Sequence, residues 1–299
     1  MVANKPKLTE SKATGAVTAL LHPSHSPSQS SSGAHPVKKS YHFVPHKKHS
    51  DSMLSCRYEL KYRIRETKAR AVAQYIQSYI SPDKYARKRP GYAYPISSLY
   101  FDSDHLHLCN ETIAGKKNRF KLRIRCYDDD PESMCFFEIK RRINNVILKD
   151  RARLPKSQIL NALAGSKISA PLYKKDEMAL NQFRFYIKNL CARPILMVRY
   201  QREAYEGISS NRVRITFDRQ LDFRTVNAPE VTTDGADWHT VPMNFVVLEI
   251  KFTDRYPFWL TDMVKMFDLK QTAMSKYVST VKQSCSAGFC NPTYLLTPY

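Results

Sequence analysis

Basic residues recur at every second position in several short segments of this 299-residue chain. Lys121, Arg123 and Arg125 alternate with Leu122, Ile124 and Cys126, and Glu138, Lys140 and Arg142 repeat the arrangement. So do Lys149, Arg151 and Arg153, then Arg212, Arg214, Thr216 and Asp218, and finally Glu249 and Lys251. A strand sends successive side chains to opposite faces, so each set shares one face and leaves the other apolar. Guanidinium forks and lysine ammoniums at that spacing match phosphate oxygens, and interspersed carboxylates can balance charge or hold a divalent ion. Two architectures accommodate such strands. One is a half-solvated sheet with a polar wet face. The other is a barrel whose apolar face meets helices and whose charged face lines a channel. Buried like charges repel and lose hydration, so that lining is tolerable only if an anion or water fills it.

The elements that must carry these residues alternate in type. Residues 56–65 (CRYELKYRIR) read as a strand, with Tyr58, Leu60, Tyr62 and Ile64 opposite Glu59, Lys61, Arg63 and Arg65. Ala69, Val72, Ala73, Ile76 and Ile80 then fall at helical spacing, and Pro82 stops the helix. Residues 97–103 predict a strand, with 105–111 as its continuation or a short turn. Further strands are predicted over 119–128, 135–143, 146–154, 195–206, 212–218 and 245–252, and helices over about 156–164, 176–190 and 258–284. The composite is an α+β fold with many antiparallel strands and helices outside.

Composition narrows the partner. Lys and Arg number 48 against 27 Asp and Glu, a formal net charge of +21, while hydrophobic residues make up 42% and Gly only 8 positions. These values exclude a wholly disordered, collagen-like or disulfide-stapled chain and point to an acidic partner. Residues 1–52 hold seven lysines against Glu10 and Asp51, with six of the nine histidines (His22, His25, His35, His42, His46, His49). They read as a disordered basic Ser/Pro/His-rich tail whose histidines reflect compositional bias. Residues 53–284 form the folded domain and 285–299 a C-terminal tail. Seven scattered cysteines without a CxxC pair fit a reducing cytoplasm, and no apolar run is long enough to span a membrane. AGSKIS at 164–169 lacks the order of a phosphate-binding P-loop, and no GxGxxG occurs.

The ordered set RYELKY (57–62), SLYFD (98–102), KLRIRCY (121–127), EIKRR (138–142), LKDR (148–151), RYQREAY (199–205), RVRITFD (212–218), LEIKF (248–252) and SKY (275–277) resembles the VTC domain of polyphosphate polymerases. That domain belongs to the CYTH-like triphosphate tunnel metalloenzymes, and the resemblance spans about 54–282. It implies a closed antiparallel β-barrel tunnel with helices packed outside. It implies an ATP-dependent polymerase that moves the γ-phosphoryl group to a polyphosphate chain and releases ADP. A tunnel-type triphosphatase and a non-catalytic polyphosphate or nucleic-acid binder are the alternatives. Nucleic acid is the weaker partner, because the basic stripes lie on strand faces separated by apolar residues.

By the same resemblance, Arg123 and Arg125 grip nucleotide or chain phosphates, and Lys140 and Lys149 contact the triphosphate. Lys61, Arg199 and Arg214 complete the basic lining, and Lys276 caps it from the last helix. Glu249 holds Mn²⁺ or Mg²⁺, with Glu59 and Glu138 as metal or charge-balancing partners. Tyr100, Asp102 and Tyr127 orient these groups or support the fold. His105 and His107 are ordinary surface or packing residues. Eukaryotic members carry a phosphate-sensing SPX domain and a membrane domain. The arrangement here resembles stand-alone prokaryotic members, which implies a cytoplasmic protein that reaches the inner membrane through a membrane-protein partner.

Overall fold

The computed structural model describes residues 58–144, 146–169, 172–207, 213–252 and 256–290. The tail predicted over 1–52, the strand start at Cys56, Arg212 and most of the predicted C-terminal tail lie outside them. Among the described residues, ten strands form one sheet: β1 (Tyr58–Ile64), β2 (Ser81–Pro82), β3 (Ala93–Asp102), β4 (Asn118–Cys126), β5 (Met134–Ile143), β6 (Val146–Pro155), β7 (Arg193–Glu206), β8 (Arg214–Thr225), β9 (His239–Thr240) and β10 (Val246–Phe252). Six α-helices among the described residues accompany it: α1 (Glu66–Ile76), α2 (His107–Ile113), α3 (Ile159–Ala164), α4 (Lys174–Leu190), α5 (Phe258–Met266) and α6 (Lys276–Ser286).

The main path runs β1-β10-β8-β7-β3-β4-β5-β6, with antiparallel pairing throughout. This corrects the expectation of a closed barrel: the sheet is open, and among the described residues β1 and β6 share no ladder. The free edge of β1 is taken by the segment leading into α6. Tyr62 bridges Gln271, and Thr272 N donates to Lys61 O at 2.8 Å. Curvature still brings the two ends within side-chain reach, since Lys140 on β5 meets Glu59 on β1 at 3.0 Å.

Alternation assigns the two faces. Leu99, Phe101, Leu122, Ile124, Phe137 and Ile139 turn outward against Ile159, Leu180 and Phe183 of α3 and α4. Ile64, Leu248, Ile250, Ile215 and Phe217 pack on Val72 and Ile76 of α1 and Leu260 and Met263 of α5. Burying each such side chain contributes roughly 1.5–3 kcal/mol, so the helix contacts fix which face the charges must take. No helix among the described residues is long and apolar enough to cross a membrane.

Three local features differ from the sequence expectations. Residues 107–113 form a helix, although Leu106 and Leu108 alternate as in a strand. The Asp102 carboxylate accepts from Leu108 N and Cys109 N, both at 2.9 Å, and so binds the open amides of that first turn. The helical region near the C-terminus is two helices separated by residues 267–275. Cys285 and Cys290 are joined in a disulfide, with Cα atoms 4.4 Å apart, where reduced thiols were expected.

Asp102 also accepts from Ser103 N at 2.8 Å and from the Tyr277 hydroxyl at 2.8 Å, and it is fully buried. It therefore ties β3, α2 and α6 together. Replacing Asp102 with Ala strands several buried donors, each worth about 1–3 kcal/mol. Urea unfolding of Asp102→Ala is expected to show a loss of at least about 3 kcal/mol.

Candidate functional site

Neighbouring strands bring the alternate charges into register on the concave face. Lys61 sits opposite Glu249, Arg123 opposite Glu138, and Lys140 opposite Lys149. Two acidic nodes organise them. At the first, Glu138 is fully buried and meets Arg123 at 2.7 Å, Lys149 at 2.6 Å and Arg151 at 2.9 Å. Burial opposes its charge, but Lys149, Arg123, Arg125 and Arg151 hold its pKa well below the usual carboxylate value. Arg125, also buried, donates to Ser98 Oγ at 3.3 Å and Tyr200 Oη at 3.4 Å.

At the second node, Glu249 meets Lys251 at 3.2 Å, Lys61 and Lys276 at 3.4 Å, and Arg202 at 3.7 Å. Asp218 takes Lys276 at 2.5 Å and Arg202 at 2.6 Å. Glu59 bridges Lys61 at 3.1 Å and Lys140 at 3.0 Å. Burial opposes the charge on Glu249, yet Lys61, Lys276, Lys251 and Arg202 hold its pKa well down.

Among the described residues, ten basic side chains thus face four carboxylates. Neither Arg125 nor Lys121 has a carboxylate within 4.0 Å. Lys121 instead donates to Ser275 Oγ at 2.7 Å, and burial beside Lys61 and Lys140 pushes its pKa well below the lysine value. Burial also lowers Lys140, to about 8, despite the attraction of Glu59.

The SKY segment places three groups at the start of α6. Ser275 caps the helix by accepting from Val278 N at 3.3 Å. Lys276 enters the second acidic node, and Tyr277 stacks on Tyr100 with centroids 4.5 Å apart. Beside this helix start lies a cavity of about 800 Å³. Lys61, Arg63, Arg119, Lys121, Lys140, Arg142 and Lys282 line it, with Glu59 as the one carboxylate among its lining residues.

Of the side chains predicted from sequence, Lys61, Arg123, Arg125, Lys140, Lys149, Lys276, Glu59, Glu138 and Glu249 come together on this face. Arg199 and Arg214 do not join them. Arg199 pairs with Asp222 at 3.0 Å and lies 4.3 Å over the Trp238 ring, while Arg214 is held by Asp83 at 2.6 Å and Glu206 at 2.9 Å. Lys121, Arg151, Arg202, Asp218 and Lys251 belong to the cluster without having been singled out. The face-sharing pattern had already placed Lys121 with Arg123, Arg151 with Lys149, and Lys251 with Glu249.

Among the described residues, no group of three or more His, Cys, Asp or Glu is placed to hold a metal ion. Both Glu138 oxygens are taken by cations, so its place is charge balance. Glu249 and Glu59 converge on the Lys61 ammonium. They fit Mg²⁺ or Mn²⁺ only together with phosphate oxygens, a common setting for those ions.

Residues 56–285 match the model of the VTC domain. The chain belongs to the VTC domain family. No curated protein matches its sequence closely. A Bacillus halodurans protein to which adenylate cyclase activity is ascribed is similar at 12% identity and a TM-score of 0.40, covering 74% of this chain and 94% of its own. The PH1819 protein of Pyrococcus horikoshii is similar at 11% identity and a TM-score of 0.39, covering 77% of this chain and 99% of its own. Neither likeness bears on the chemistry of this VTC domain.

The lowered Lys140 pKa sets a pH dependence. Its charged form is penalised in the folded protein, fully so below about 8, and the penalty fades as pH rises toward the ordinary lysine value. A phosphate chain reverses this by favouring the ammonium. Calorimetry at pH 8.5 in buffers of different ionisation enthalpy is expected to show proton uptake when inorganic polyphosphate binds. Lys140→Met is expected to reduce that uptake.

Proposed function

We propose that this VTC domain is an ATP-dependent polyphosphate polymerase. The observation that carries the reading is the excess of basic over acidic side chains on the concave face, with Arg125 buried and more than 4.0 Å from any described carboxylate. Such an arrangement calls for an anion with many closely spaced charges, and a phosphate chain supplies them along a line. Family membership supports phosphoryl transfer as the chemistry done on it.

In this reading Arg123, Arg125, Lys149 and Arg151 neutralise the donor triphosphate and the charge that develops on the transferred group. Lys61, Lys121 and Lys140 hold the end of the acceptor chain in line. The terminal oxygen of the chain forms a bond to the γ-phosphorus as the bond to the β–γ bridging oxygen breaks. ADP leaves with that electron pair, and the chain is one unit longer. Lys276 holds Asp218 and Glu249 in place beside the acceptor lysines. A divalent Mg²⁺ or Mn²⁺ on Glu249, with Glu59 adjacent, would add charge neutralisation at the phosphate oxygens. The site belongs to a cytoplasmic enzyme that a membrane-protein partner of the same pathway can recruit.

Purified protein incubated with ATP and Mn²⁺ is expected to release ADP and build long-chain phosphate. Arg123→Ala is expected to cut turnover by about 10²-fold or more. Stoichiometric free phosphate in place of chain product would make the domain a triphosphatase, and binding of phosphate chains without turnover would make it a binder.

A further inference from the structure

The end of the concave face away from the 800 Å³ cavity carries a different kind of surface. Along β4, Arg119 and Lys121 line the cavity, whereas Arg125 lies toward the far end and Tyr127 just beyond it. Tyr127 stands six positions on from Lys121, roughly 20 Å of strand. Tyr127 stacks on Tyr85 with centroids 5.8 Å apart and planes within 2°. Tyr94 packs at a tilt against Tyr85 at 6.0 Å, and Phe136 meets Tyr127 edge-on at 5.8 Å. The Arg151 guanidinium lies 4.8 Å over Phe136 and also pairs with Glu138 at 2.9 Å. The aromatic group is therefore continuous with the first acidic node.

Tyr85 is built into this position, yet the residue is 45% exposed. Asp83, almost fully buried, accepts from Tyr85 N at 3.0 Å and Ala86 N at 2.7 Å, and from the Tyr94 hydroxyl at 3.0 Å. Arg214 holds the same carboxylate at 2.6 Å. The backbone that carries the exposed ring is thus fixed before any ligand arrives. The ammonium of Lys84, itself an exposed residue, lies over the same ring, 5.0 Å from its centroid.

A flat, exposed aromatic surface next to a row of phosphate-binding cations suits a ligand with a planar base at one end and phosphates at the other. We propose that Tyr85, backed by Tyr127, is the platform for the base of the nucleoside triphosphate donor. This rests on the polymerase reading and gives it a direction. The base lies at the Tyr85 end, its phosphates run past Arg151 and Arg125 to Arg123, and the acceptor chain enters from the cavity lined by Lys121, Lys61 and Lys140. An inorganic triphosphate, which has no base, gains nothing from the platform.

Calorimetry of ATP and of inorganic triphosphate against wild type, Tyr85→Ala, Tyr85→Trp and Tyr79→Ala separates these terms. Tyr79 is an equally exposed stacked tyrosine, paired with Trp259 and remote from the charged face, and serves as the control. Tyr85→Ala is expected to weaken ATP about tenfold while leaving inorganic triphosphate unchanged. Tyr85→Trp is expected to keep ATP binding, and Tyr79→Ala to change neither ligand. Equal weakening of both ligands in Tyr85→Ala, or no weakening of ATP, would overturn the platform. If ATP binding behaves as expected but no chain forms, the polymerase reading fails and the platform stands. If chain forms but Tyr85→Ala binds both ligands as wild type does, the platform fails alone.

Discussion

Everything in this fold answers to one constraint: among the described residues, ten basic side chains gather around four carboxylates on one face of the sheet. Taking a cation out of water is costly, and placing it beside another adds repulsion. Glu138 and Glu249 each absorb several cations, which is why both stay ionised although buried. The strain shows as lowered lysine pKa values at Lys121, which no described carboxylate meets within 4.0 Å, and at Lys140, where Glu59 offsets it only in part. Burial is the largest cause for both, with like-charged neighbours adding to it.

The rest of the architecture holds this face in shape. Two groups of helices cover the outer apolar surface, so the charges have only the inner one. The sheet does not close, and the segment 271–272 seals the edge of β1 before the chain turns into α6. That segment delivers Ser275, Lys276 and Tyr277 in succession: one to cap the helix and hold Lys121, one to the acidic node, and one to Asp102. Asp102 in turn binds the start of α2. A single buried carboxylate thus couples three elements to the position of Lys276.

Much of this was legible as period-two alternation, because apolar burial on one strand face leaves the other to the charges. Lys61, Arg123, Lys140 and Glu249 follow from that rule together with the family likeness. What failed to show depends on contacts distant in sequence. Arg199 and Arg202 are three apart and must point to opposite faces of one strand. Only the pairing of Arg202 with Asp218, and of Arg199 with Asp222, decides which one turns inward. Arg214 alternates correctly, but Asp83, 131 positions away, draws it aside. Sheet closure was not readable either, since alternation says nothing about which strand edge finds a partner. Residues 107–113 became a helix because Asp102 supplied the cap, a contact that their own alternation does not encode.

The central claim is that the concave face is built for a narrow, densely charged phosphate chain rather than for acidic polymers in general. Thermal unfolding with inorganic polyphosphate, compared with duplex DNA at equal phosphate concentration, tests it most directly. A ligand that binds only the folded state raises the unfolding midpoint according to its affinity. The account predicts a rise of several degrees with polyphosphate and little change with DNA. Equal shifts with both, or a larger shift with DNA, would contradict it.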